Sequence, residues 1–155
     1  MKKLILVRQG DYDTGGSLSD FGKKQMRMLG EEIKKQYING NRVILLSSTA
    51  NRACQGAEIL SEVLGVEYQP HEVLWSDSMY PEDCTKVLEL VRRHKNRADI
   101  IILVTHLEYG EGFPSHFGQH ELDGTNLDGR GIEKGQAWLI DCQTKQMELL
   151  VPVVC

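Results

Sequence analysis

Ile100-Ile101-Ile102-Leu103-Val104 is a run of five apolar residues, closed at once by Thr105-His106. A short unbroken apolar run suits a strand whose two faces are both buried, as in a parallel sheet covered by helices. Leu4-Ile5-Leu6-Val7 and Val43-Ile44-Leu45-Leu46 carry the same signal. Between these two, Ser19 can cap a helix on which Met26, Leu29, Ile33 and Tyr37 share one face, with Asn39-Gly40 as its stop. After Leu46, Thr49 is the expected cap of a second helix with the stripe Ala53, Ala57, Leu60, Leu64 and the terminator Gly65. Val66-Glu67-Tyr68 reads as a short edge strand. A third helix is placed from about Pro81, using Val87, Leu88 and Val91. Residues 137–140 and 147–151 bracket 141–145 as a hairpin on the sheet edge. Residues 107–135, rich in Gly, His and acidic side chains, read as an irregular excursion near the active face with at most a short helix. The fold class expected is α/β: a three-layer α/β/α sandwich, its central sheet mainly parallel with a C-terminal antiparallel hairpin, in a single domain over 1–155.

Composition narrows the partners. The chain has 155 residues, 41% hydrophobic and 26% charged, enough to bury a core, and a net charge of −4. That charge gives the surface as a whole no pull toward nucleic acid or an anionic membrane, and neither is expected as a partner. The apolar run after Lys2-Lys3 stops at Arg8, short of a secretory core, and no stretch is long enough to span a bilayer. Cys54, Cys84, Cys142 and Cys155 show no CxxC spacing, so reduced thiols and a cytoplasmic location are expected. No cofactor and no metal are expected. His116 and His120, four residues apart, have no obvious third ligand and read as exposed loop histidines. Gly10, Gly15 and Gly16 do not form a dinucleotide fingerprint. The basic run 92–97 reads as a solvated helix end favoured by the helix dipole.

Ligands of an open parallel sheet collect beyond the carboxyl ends of its strands. Arg8-Gln9-Gly10-Asp11 follows the first strand, Ser47-Ser48-Thr49-Ala50-Asn51-Arg52 the second, and Thr105-His106 the third. Two arginines and a histidine therefore converge on one rim. Guanidinium forks suit a phosphate dianion, and helix N-termini add backbone donors. An isolated arginine at a strand end is ordinarily a surface ion pair; three such groups after three strands are a pattern.

Four segments in this order resemble the histidine phosphatase superfamily, the phosphoglycerate-mutase-like fold: Arg8-Gln9-Gly10-Asp11, Leu18-Ser19-Asp20-Phe21-Gly22-Lys23-Lys24-Gln25, Ser48-Thr49-Ala50-Asn51-Arg52-Ala53-Cys54-Gln55-Gly56-Ala57, and Val104-Thr105-His106. The likeness covers residues 4–106 and the terminal hairpin, and is nearest the compact branch that contains phosphohistidine phosphatases. It implies phosphate contacts from Arg8, Arg52, His106 and the residue at position 9. It also implies that position 9 carries a nucleophilic histidine, and there the chain departs: the residue is Gln9. A carboxamide nitrogen, its lone pair delocalised, cannot store a phosphoryl group, though it still donates and accepts hydrogen bonds. The resemblance further implies a general acid some two dozen residues after Arg52; Asp77 lies there, with Glu82 behind it, and a solvated loop carboxylate is the alternative for both. Trp75 and Tyr80 flank that acid as pocket-entrance or half-buried aromatics.

The function expected is a phosphate- or phospho-ligand-binding protein of this fold that does not turn over through phosphohistidine. Its partners would be a phosphorylated small molecule, a phosphoprotein or inorganic phosphate. The alternatives are an active phosphohistidine or phosphomonoester phosphatase, if Gln9 replaces a natural histidine, hydrolysis by water activated at His106, and a purely structural interaction module.

Overall fold

The computed structural model describes residues 1–77 and 82–154. Its core is one six-stranded sheet in the order β3-β2-β4-β1-β5-β6. The strands are β1 (Lys3–Arg8), β2 (Val43–Ser47), β3 (Tyr68–Pro70), β4 (Ile100–Thr105), β5 (Ala137–Asp141) and β6 (Gln146–Leu150). β1 to β4 run parallel, and β5 pairs antiparallel with both β1 and β6. The expected α/β sandwich with its C-terminal hairpin is the observed fold.

The unbroken apolar runs separate onto two faces. Ile5, Val7, Leu45, Ile100, Ile102 and Val104 pack in one core with α1 (Asp20–Ile33) and α2 (Asn51–Leu64). Leu4, Leu6, Leu46, Ile101 and Leu103 pack in the other with α3 (Cys84–His94) and α4 (Leu107–Glu121). Alternate residues of one strand thus feed opposite cores, which is why these runs show no polar alternation.

Helix ends follow local chemistry. Ser19 caps α1 by accepting from the Gly22 N–H at 3.0 Å. A π-helical turn, Lys34–Ile38, ends that helix before Gly40 at φ +76°. Gly65 closes α2 in the left-handed conformation.

Several expectations are corrected. Thr49 is exposed and does not cap α2; Ala50 is the N-cap, and the Ser48 hydroxyl accepts its N–H at 3.2 Å. The edge strand lies at Tyr68–Pro70, two residues beyond 66–68. α3 starts at Cys84 with Asp83 as cap, and Pro81 and Tyr80 fall outside the described residues. The largest correction concerns 107–135, where α4 spans 15 residues. Tyr109, Phe113 and Phe117 lie on its buried side, and Pro114 sits inside it. Gly129 of the following segment approaches so closely that any Cβ would come within 2.7 Å of Gly110 O, Glu111 O and Pro114 Cγ. His116 and His120 therefore stand on a helix, ring centroids 4.4 Å apart. Among the described residues, no group of three potential metal ligands occurs and no helix is long and apolar enough to cross a membrane.

Candidate functional site

The register of three strands builds the site. Arg8 of β1 lies beside Thr105 of β4, and Ser47 of β2 beside Val104. The next residues of each strand, Gln9, His106 and Ser48, therefore emerge together past the carboxyl edge. Backbone bonds hold them there, from Gln9 N–H to Thr105 O at 3.1 Å and from Ser48 N–H to Val104 O at 2.8 Å. β1 and β4 are neighbours, yet α1 leaves β1 on one face of the sheet and α4 leaves β4 on the other. Such a divergence of chain direction opens a crevice at the strand ends.

Gln9 and His106 are buried, 3% and 2% exposed, and Ser48 is fully buried. His106 Nε2 lies 2.7 Å from Ser48 Oγ. Burial, Arg52 and Arg8 together hold the imidazole down to about 4, against a counter-effect of Asp77, so the ring is neutral at pH 7. The two arginines and Asp77 thus all lie close enough to act on His106. Arg8 donates through Nη1 to Ile132 O at 2.9 Å. The Arg52 guanidinium, carried by the first turn of α2, stacks 4.7 Å from the Tyr12 ring centroid.

Among the described residues, four buried polar atoms here have no partner: Arg8 Nε, Gln9 Oε1, Arg52 Nε and His106 Nδ1. Buried polar groups are normally paired, so such a cluster marks a place prepared for a polar ligand. The helix N-termini agree. α1 and α3 are closed by the side chains of Ser19 and Asp83, whereas α2 and α4, which begin at the site, have no side-chain cap. Their amide ends favour an anion.

Asp77 accepts from Trp75 Nε1 at 3.1 Å. Glu82 lies apart, exposed, facing Gly112 of α4 and acting on Cys84 and Tyr109 rather than on His106. The basic run is partly paired: Arg92 and Lys95 both bond the Glu121 carboxylate at the far end of α4.

Sequence reasoning missed a ring of supports. Gln55 of α2 accepts the Leu18 N–H at 2.6 Å, fixing the entry to α1. Gly10 and Gly22 together let the start of α1 lie against the loop after β1: a Cβ on Gly10 would stand 2.6 Å from Gly22 O, and one on Gly22 would run into the Asp11 backbone. Lys134 places its ammonium 4.4 Å from the other partner of Arg52, the Tyr12 ring, and 3.6 Å from Asp11 Oδ1. Gln25, Gln55 and Ser48 were visible as letters of the matching segments. Nothing in the sequence paired Lys134 with Tyr12.

Residues 3–75 match the family model described as histidine phosphatase superfamily (branch 1). That match spans just under half of the chain and is a resemblance to the superfamily. No curated protein matches its sequence. Among solved structures, the chain is similar to SixA from Agrobacterium tumefaciens, at 15% identity and a TM-score of 0.72, covering 97% of this chain and 98% of that one. It is similar to the protein histidine phosphatase SixA complexed with tungstate, at 18% identity and 0.67, covering 96% and 94%. A mycobacterial glucosyl-3-phosphoglycerate phosphatase follows at 15% and 0.64, covering 97% and 98%. At these identities the likeness is one of fold, and it runs through the α4 region.

Proposed function

We propose that this protein binds the phosphate group of a phosphorylated small molecule or phosphoprotein, and does not turn it over through a phosphohistidine. The observation that carries this reading is Gln9: a carboxamide, 3% exposed, at the strand-end position where the superfamily resemblance puts the nucleophilic histidine. An amide nitrogen cannot take and release a phosphoryl group. The rest of the surroundings favours an anion. Arg8 and Arg52 bring two guanidinium groups, two helices open without side-chain caps, and the buried donors Arg8 Nε and Arg52 Nε and the ring nitrogen His106 Nδ1 have no partner among the described residues. The tungstate in one structural relative supports a tetrahedral oxyanion as the kind of ligand, and the compact SixA-like shape supports phosphohistidine proteins among the partners.

His106 is better suited to donating a hydrogen bond than to activating water. An imidazole held near 4 is a weak base at neutral pH. Its neutral ring can still give one N–H to a phosphate oxygen. Asp77 acts electrostatically on His106, which supports it as the carboxylate that would serve a leaving group if a nucleophile were restored.

Calorimetry with inorganic phosphate, paired with hydrolysis of p-nitrophenyl phosphate and of a phosphohistidine protein, tests this reading. Phosphate binding that is lost in Arg52→Ala, without turnover, is expected. Turnover by the Gln9 protein that disappears in His106→Ala would overturn it. Gln9→His, restoring an imidazole, is expected to become phosphorylated at that position and to turn over.

A further inference from the structure

Ser48 is held on all sides. Its N–H donates to Val104 O at 2.8 Å, and its carbonyl accepts from Ser47 Oγ at 2.8 Å and Cys54 Sγ at 3.2 Å. Its side-chain Oγ then meets two nitrogens: Ala50 N at 3.2 Å and His106 Nε2 at 2.7 Å. The Ala50 N–H can only donate. The direction of the second bond is set by counting hydrogens, since a hydroxyl has one to give.

Two arrangements are possible. If Nε2 carried the proton, Oγ would accept twice. Its own hydrogen would then lack an acceptor among the described residues, and Nδ1 would be a buried bare acceptor. If Ser48 donates to Nε2 instead, one group alone stays without a partner among the described residues, the Nδ1–H. Each buried group left unpaired is costly, so the second arrangement prevails. The ring has no third option, because burial and the two arginines keep it neutral.

We propose that Ser48 is a positioning residue: its hydroxyl donates to His106 Nε2 and fixes the imidazole as the Nδ1–H tautomer, leaving that N–H to meet a phosphate oxygen. The tautomer follows from the hydrogen bonds alone; its use by phosphate rests on the function proposed above. Without the hydroxyl, the buried ring could carry its proton on either nitrogen, and in one of the two forms it would present a lone pair to the anion. The sequence pattern Ser48…His106, 58 residues apart, thus acts as one donor unit.

The test uses the full chain with 15N-labelled histidine rings and long-range 1H–15N correlation at pH 7, which distinguishes protonated from bare ring nitrogens. The His106 signals are assigned by their loss in His106→Gln. Nδ1 protonated and Nε2 bare is the expected result in the unaltered protein. Ser48→Ala is expected to give a mixture of tautomers and to weaken phosphate binding about fivefold to tenfold, while Ser48→Thr keeps the hydroxyl and the single tautomer. Nε2–H in the unaltered protein would overturn the assignment, a measurement that needs no variant to fold. An unmixed Nδ1–H ring in Ser48→Ala would overturn it equally. If the ring reads Nδ1–H but calorimetry finds no phosphate binding, the proposed function falls and the Ser48 assignment stands.

Discussion

The side-chain oxygen of Gln25 accepts the backbone N–H of Asp11 at 2.8 Å, across 14 residues of chain. The other end of the same carboxamide donates to Lys134 O at 3.2 Å. One side chain on α1 therefore ties the loop after β1 to the loop before β5. Gly135, next in that second loop, points its N–H at both Arg8 O and Gln9 O, each at 3.1 Å. Its φ of +78° and the nearness of Gln25 to any Cβ there both require glycine.

Gln25→Ala removes that tie and leaves a partly buried N–H and carbonyl to be satisfied by water. A loss of about 1–2 kcal/mol is expected in urea unfolding. Phosphate affinity should fall with it, because Asp11 and Lys134 frame the strand end that carries Arg8 and Gln9. An unchanged unfolding midpoint would show that the two loops are held by other contacts.

Tyr12→Ala takes the aromatic face from beneath Arg52. A cation–π contact at a partly exposed site contributes about 0.5–1 kcal/mol, so phosphate binding should weaken roughly twofold to fivefold. Tyr12→Phe keeps the ring and should bind as the unaltered protein does. Calorimetry on the two variants separates the ring's contribution from that of its hydroxyl.

Gln9→Glu changes one atom and one charge. A carboxylate buried among the groups that would hold phosphate repels a dianion and competes for Arg8 and Arg52. A loss of at least about tenfold in phosphate affinity is expected. The variant should be no less stable than its parent at pH 7, since the two guanidinium groups then have an internal counter-ion; equal phosphate affinity in the two proteins would contradict the placement of Gln9 in the site.

His106 gives the fold a pH dependence with a definite sign. Its ordinary value of 6.5 falls to about 4 in the folded chain, through burial first and then Arg52. Above pH 6.5 neither state holds the proton. As pH falls from 6.5 toward 4, the unfolded chain takes up a proton that the folded chain refuses, so stability is lost across that window. The full effect is about 3 kcal/mol at its acid end. His71 and His116, also lowered by burial, add to the same slope. Urea unfolding between pH 7 and 4.5 should show a shallower slope in His106→Gln than in the parent, and equal slopes would contradict a buried neutral ring.

The strands were legible because burial on both faces leaves an unmistakable apolar run, and the site's main residues were legible because they follow those runs directly. α4 was hidden for a physical reason. Gly110, Gly112, Gly118 and Pro114 are poor helix formers; here Gly110 leaves room for Ile132, and Gly118 for Thr125 and Leu127. The usable signal was Tyr109, Phe113 and Phe117 at four-residue spacing, outweighed in the reading by the glycines between them. The supports of the site escaped for a different reason. Gln25 and Gln55 act through bonds to backbone atoms far along the chain, and Lys134 through the distant Tyr12 ring and Asp11 carboxylate; side-chain identity says nothing about which distant group will be near. Thr49 does not cap because α2 begins one residue later than that reading requires, with Ala50 as the extended N-cap and Thr49 exposed.

Arg52 rides on the layer of α1 and α2, whereas His106 opens α4 in the opposite layer. A phosphate gripped by both would act as a rivet through the sheet, joining two cores that otherwise share only the strands between them. Ligand would then slow amide exchange in α2 and α4 together, and small changes of packing deep in either core would retune the grip without touching a residue of the site.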